Sequence, residues 1–197
     1  MQPCPSKRVS PASRGSRPVL MGIGLLPVPE AQHTLAAIAQ AVCGEVDAEF
    51  VVGLSAPPHV TLLHAYCDQG QQREWWRRSR ESVPAALSFE VHELAISAIA
   101  VGDVHSPRGG MYVGLNVVRG AELAKAHHQV VAQAEAVGAR PRGLFGPRYH
   151  PHVTLAVLPA VPQLPTTLAP SVTGLIFEGE LVLATIGPHG SFAEIAT

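Results

Sequence analysis

Two histidines in this chain sit in identical surroundings. His59 lies in Pro58-His59-Val60-Thr61-Leu62, and His152 lies in Pro151-His152-Val153-Thr154-Leu155. Both segments open β-prone apolar runs, Val60 to Ala65 and Val153 to Leu158. On a strand, residues i and i+2 face the same way. His59 and Thr61 therefore project together, with Val60 and Leu62 on the opposite, core face; His152 and Thr154 do the same against Val153 and Leu155. Pro58 and Pro151 fit the first residue of a strand, where a missing amide donor costs little.

An imidazole beside a hydroxyl, presented twice across a cleft, suits one small anionic centre. Phosphodiester cleavage needs one group to take a proton from the attacking oxygen and another to give a proton to the leaving oxygen. Histidine does either near neutral pH. The threonine hydroxyls can donate to non-bridging phosphoryl oxygens and hold the phosphorus in line. The arrangement requires no metal and no cofactor. One His-x-Thr alone is most often a partly buried histidine bonded to a neighbour. Two copies in matching contexts reverse that reading.

The contexts do match. Before the first copy come an apolar run from Val19 to Val28, a turn at Pro29-Glu30, and a helical pattern from Gln32 to Cys43 with Leu35, Ile38, Ala39 and Val42 on one face. Before the second come Met111 to Val118, the turn Arg119-Gly120, and a helical pattern through Val137 with Leu123, His127, Val130 and Ala134 on one face. Gly138 is placed to cap that helix. Met21 precedes His59 by 38 positions, and Met111 precedes His152 by 41. Each copy is followed by a further strand, around His92 to Ile96 and around Gly179 to Leu183. The first intervening connection reads as a helix, Gln71 to Val83; the second, Pro159 to Pro170, is proline-rich and reads as lacking a long one.

At this point the paired His59-Val60-Thr61-Leu62 and His152-Val153-Thr154-Leu155 resemble the His-x-Thr/Ser-x signature of the two-histidine phosphoesterase superfamily. The form Pro-His-Val-Thr-Leu is most similar to its bacterial 2'-5' RNA ligase/cyclic phosphodiesterase branch. The resemblance runs from about Pro18 to the C-terminus and includes the closing Gly187-Pro188-His189-Gly190-Ser191-Phe192 turn and strand. It implies an α+β fold of duplicated β-α-β lobes with pseudo-twofold symmetry, antiparallel sheets lining a central cleft. It also implies metal-independent opening of 2',3'-cyclic phosphates on RNA ends or small nucleotides, in some members with reversible 2'-5' joining. His59 and His152 would be the catalytic pair, and Thr61 and Thr154 would bind the phosphate. The partner expected is RNA with a cyclic-phosphate end or a small cyclic nucleotide, with no membrane and no obligate protein partner, the chain acting as a monomer in the cytoplasm.

Composition sets the frame. Hydrophobic residues make up 47% and charged residues 15%, so 197 residues suffice for one sizeable core. A net charge of −1 leaves any polyanion site to a local patch. Cys4, Cys43 and Cys67, odd in number and irregularly spaced, fit neither a disulfide framework nor a zinc ribbon. No apolar run approaches the ~20 residues of a membrane span. Residues 1–17, rich in Pro, Ser and Arg, read as a disordered basic tail rather than a signal peptide, because the apolar stretch after it is wanted as a strand; Met21 is an alternative start. Residues 18–197 read as one bilobal domain, with halves of about 18–101 and 110–197 and room for strand exchange between them.

Further residues offer contacts to substrate. The loop before the second motif carries Arg140, Arg142 and Arg148 beside Phe145 and Tyr149; Arg142, Arg148, Tyr149 and His150 are the candidates for substrate binding. The arginines of Gln71 to Val83 read as a solvated helix face, with one of Trp75 and Trp76 anchoring the core. His127 and His128, adjacent on a helix, make a poor metal geometry, and His64 is expected on the strand face opposite His59. His150-Pro151-His152 could begin a metal site, but no acidic residue follows on the strand. A His-liganded metallohydrolase and a non-catalytic RNA-end binding module are the competing classes. RNA ends and small substrates such as ADP-ribose cyclic phosphate are not separated by these residues.

Overall fold

A computed structural model describes residues 17–44, 46–53, 55–159 and 172–196. The expected tail up to residue 16 and the proline-rich connection from Val161 to Pro170 lie outside them. The elements run β1 (Val19–Pro27), α1 (Pro29–Cys43), β2 (Phe50–Val51), β3 (Val60–Cys67), α2 (Gln69–Ser82), β4 (Ala86–Ile99), β5 (Gly110–Val117), α3 (Ala121–Ala136), β6 (Arg140–Arg142), β7 (His152–Leu158), β8 (Leu175–Ile186) and β9 (Phe192–Ala196). Short 3-10 turns occupy Gly146–Arg148 and Pro188–Gly190. The expected strands and helices are all present. One correction concerns Pro29-Glu30, which is the first turn of α1 rather than a separate turn; a proline at the first helical position forgoes only an amide that has no partner there.

Local chemistry explains the helix ends. Asp68 and Gln71 form a reciprocal capping box at the start of α2. At the end of α3, Gly138 takes a φ of 74°, and the amides of Gly138 and Ala139 close onto the carbonyls of Glu135 and Ala134. Trp75 is the core anchor of α2: it is fully buried and its indole N–H donates to the Val130 carbonyl on α3. Two of the four α2 arginines pair along their own helix, Arg77 with Glu74 and Glu81 and Arg78 with Glu74.

All strand pairings are antiparallel, in the order β2-β7-β5-β4-β8-β1-β3-β6, with β9 on β8. The two halves exchange strands symmetrically. β2, from the first half, pairs with β7, while β6, from the second half, pairs with β3. β4 leaves β8 and continues along β5. The two motif strands then meet at one pair, Val60 with Val153. Both valines are fully buried and belong to one continuous core with Leu62, Leu155, Leu35 of α1 and Leu123 and Val130 of α3. The opposite face of the sheets, which carries the histidines, lines the cleft. A small apolar cluster, Val182, Ala184 and Phe192 with Leu26 and Ile186, lies apart from the main core.

Candidate active site

The single Val60–Val153 pair organises the site. One step to either side along the two antiparallel strands sets His59 across from Thr154 and Thr61 across from His152. Because the valines are turned into the core, these four side chains share the other face. The expected constellation is thus brought together where the sheets join.

Both motif strands are kinked in the same way. β1 skips a residue of β3 between Gly24↔Thr61 and Ile23↔Leu63, and β5 skips one of β7 between Gly114↔Thr154 and Val113↔Ala156. Each skip is a β-bulge, which bends a strand and re-aims its side chains. Each bulge also requires a glycine opposite the threonine. A Cβ on Gly24 would stand 2.5 Å from the Val60 carbonyl oxygen, and one on Gly114 would stand 2.7 Å from that of Val153.

The bulge corrects the expected position of His64. Leu62 and Leu63 are both buried, so the alternation restarts one residue late and His64 and Tyr66 fall on the cleft face with His59 and Thr61. His64 lies 5.1 Å, edge to face, from His105 of the loop between β4 and β5. Its Nε2 is buried without a hydrogen-bond partner among the described residues. Burial, with the His105, His59 and His152 rings nearby, lowers its pKa to about 3.

The two motif histidines are held alike. Nδ1–H of His59 donates to the Pro57 carbonyl at 3.0 Å, and Nδ1–H of His152 donates to the His150 carbonyl at 3.0 Å. A carbonyl only accepts, so each neutral ring keeps its Nε2 lone pair. His59 stacks on Phe192, with centroids 3.7 Å apart and planes 19° apart. Burial lowers its pKa to about 4 against the backbone contacts of Pro57 and Gly190, and nearby His152 adds to the lowering. One face of His152 meets solvent, yet the protein wall around it still disfavours the imidazolium and lowers its pKa, with the His150 carbonyl opposing. In the free protein both rings are therefore neutral at pH 7.

Behind β3 stands a support that the sequence reading assigned to other roles. His127, fully buried on α3, donates from Nδ1 to the Leu62 carbonyl at 2.7 Å and accepts from the Gly146 amide at Nε2, 2.8 Å. An amide only donates, so this ring must be the neutral Nδ1–H tautomer. Its pKa is lowered, by burial first. Tyr149 stacks flat on it at 3.8 Å and donates its hydroxyl to the Thr61 carbonyl at 3.1 Å. Tyr149, a candidate for substrate binding, is only 6% exposed, and its ring is stacked on His127. In the other strand the equivalent Leu155 carbonyl is met by a backbone donor, the Val52 amide at 2.9 Å.

The remaining candidates divide. Arg142 pairs with His64 in the β6–β3 ladder and is exposed. His150 is exposed, 6.5 Å from the His152 ring, with Nε2 bonded to Asn116 Oδ1 at 3.0 Å. Arg148 is exposed on the 3-10 turn beside Tyr149. Phe192 and the 187–191 loop were unassigned by the motif reading, and this loop is latched to the β4–β5 loop. Ser106 Oγ and His189 Nδ1 lie 2.8 Å apart, and the His189 amide donates to the His105 carbonyl at 2.9 Å. Among the described residues no three His, Cys, Asp or Glu side chains converge as a metal-binding set.

Known proteins share the fold. Solved structures sharing the fold include a phosphoesterase (12% identity, TM-score 0.63, covering 91% of this chain and 96% of the other). Apo LigT of E. coli (13%, 0.61, 92% and 96%) and TT0787 of Thermus thermophilus (16%, 0.58, 90% and 95%) share it too. E. coli LigT has also been solved in complex with 3'-AMP (12%, 0.62, 92% and 96%). Among curated proteins, none matches. The sequence model of the 2'-5' RNA ligase superfamily matches residues 53–173, from before the first motif to beyond the second, and the chain belongs to that superfamily.

Proposed function

We propose that the protein is a metal-independent phosphodiesterase that opens 2',3'-cyclic phosphates on RNA ends or small nucleotides, with reversible 2'-5' joining as the same ring opening by an RNA 5'-hydroxyl in place of water. The observation that carries the reading is the junction of the motif strands, which sets one His and one Thr from each strand around one point. The hydroxyls of Thr61 and Thr154 bind the non-bridging oxygens. One histidine takes a proton from water through Nε2 as the water oxygen bonds to phosphorus. The other, protonated, gives its proton to the ribose oxygen as the P–O bond breaks. The two histidines exchange these roles in the reverse direction. Burial leaves both rings neutral in the free protein. An anionic phosphate placed between them favours the imidazolium and supplies the acid. The solved complex of E. coli LigT with 3'-AMP supports a nucleotide-sized occupant.

The test uses 2',3'-cyclic-phosphate mononucleotides and short RNA ends. His59→Ala and His152→Ala should each lower kcat by at least ~100-fold, the scale of one general acid or base, and EDTA should have no effect. Tight binding of RNA ends without turnover by the wild type would instead identify a binding module. Activity lost to EDTA and restored by zinc would identify a metallohydrolase.

A further inference from the structure

The polar face of β3 extends past Thr61. Beyond the bulge it continues through His64 to Tyr66, and β6 runs alongside with Arg142 paired to His64 and Arg140 paired to Tyr66. Directly paired residues share a sheet face, so two arginines flank the stripe. The Arg140 guanidinium lies 5.8 Å over the Tyr66 ring. Arg140 and Arg142 are both exposed, and neither forms an ion pair among the described residues. His64, between Thr61 and Tyr66, has a buried ring nitrogen with no partner among the described residues. The His105 ring lies edge to face against that of His64. From Thr61 to Tyr66 the strand covers roughly 13–16 Å at ~3.3 Å per residue, shortened by the bulge.

This combination of exposed guanidinium groups, an aromatic face and a buried imidazole nitrogen has no role in the acid–base step. A chain of net charge −1 that keeps two exposed arginines beside the reacting centre has the local patch an oligoanion needs. We propose that the β3–β6 stripe is a subsite for the nucleotide preceding the reacting cyclic phosphate. Arg142 and Arg140 contact the phosphodiester that joins that nucleotide to the terminal one, and the Tyr66–Arg140 pair stacks its base. The substrate class is therefore an RNA strand of at least two nucleotides rather than a mononucleotide. The inference rests on the cyclic-phosphodiesterase reading above.

The experiment compares kcat/KM for a uridine 2',3'-cyclic phosphate, the corresponding uridine dinucleotide ending in the cyclic phosphate, and ADP-ribose cyclic phosphate. The enzymes are wild type, Arg140→Gln/Arg142→Gln, Arg142→Lys and Tyr66→Leu. A charge-assisted phosphate contact is worth roughly tenfold or more. The wild type should prefer the dinucleotide over the mononucleotide by at least that factor. The double glutamine variant should lose that preference through KM, with Arg142→Lys recovering part of it and Tyr66→Leu weakening it. Equal turnover of mono- and dinucleotide by the wild type overturns the subsite. So does a preference that survives in the double variant, and so does a preference for ADP-ribose cyclic phosphate over the dinucleotide. If the wild type turns over none of the three, it is the cyclic-phosphodiesterase reading that fails. Calorimetric binding of uridine 3'-phosphate against its dinucleotide 3'-phosphate then judges the subsite: tighter dinucleotide binding lost in the double variant supports it, and equal binding overturns it.

Discussion

Acidification should destabilise this protein through its cleft histidines, and the effect is large enough to measure. Burial lowers the pKa of His59 from 6.5 to about 4 and that of His64 from 6.5 to about 3. Below pH 6.5 an unfolded chain protonates both rings while the folded cleft keeps them neutral. Unfolding therefore takes up protons, and stability falls as pH falls. Near pH 5 the two rings together account for about two protons, a slope of about 2–3 kcal/mol per pH unit. The slope from His59 ends near pH 4 and that from His64 near pH 3, where the folded rings protonate as well. From pH 6.5 to pH 4 the loss is about 5–6 kcal/mol, comparable with the whole stability of a marginal domain, in the range of about 5–15 kcal/mol. Urea unfolding at pH 7, 6 and 5 measures it. His64→Gln should remove about one proton, close to 1.4 kcal/mol per pH unit, from the slope at pH 5. Stability unchanged between pH 7 and pH 5, or a His64→Gln slope equal to that of the wild type, would refute the claim that these rings are held neutral by burial.

Two substitutions test how the strands are held. Tyr149→Phe keeps the stack on His127 but removes the hydroxyl that holds the Thr61 carbonyl. It should cost about 1–2 kcal/mol in urea unfolding and raise KM for a cyclic-phosphate substrate more than it lowers kcat, because Thr61 is a phosphate ligand in the proposed reaction. Gly114→Ala places a Cβ 2.7 Å from the Val153 carbonyl, against rigid backbone. It should destabilise by roughly 1–3 kcal/mol in thermal or urea unfolding, whereas Gly120→Ala, with open space around its Cβ, should cost less.

Much of the site was legible in the residues themselves. The repeated Pro-His-Val-Thr-Leu, with strand and helix before each copy, was enough to expect duplicated lobes, the β-strands, the helices and a four-residue centre, because alternation and helical spacing are local properties of the chain. Even the displacement of His64 left a trace. Polar residues occupy 59 and 61 and then 64 and 66, and the Leu62-Leu63 doublet between them is where the alternation shifts. In the second strand Leu155 to Leu158 are all apolar, so the matching bulge left no trace in the sequence.

What only the tertiary structure decided was how distant segments serve each motif. The meeting of Val60 with Val153, the crossing of β2 to β7 and β6 to β3, and the placing of Phe192 under His59 all join residues far apart in the chain. The two copies are identical in sequence, yet one bulge is held by a backbone amide and the other by a buried His127 and Tyr149. A carbonyl freed by a bulge must find a donor, but which donor reaches it depends on packing rather than on the pentapeptide. The motif put two imidazoles and two hydroxyls on offer; the surrounding fold determined that its two halves meet at Val60 and Val153 and that burial lowers the pKa of both rings.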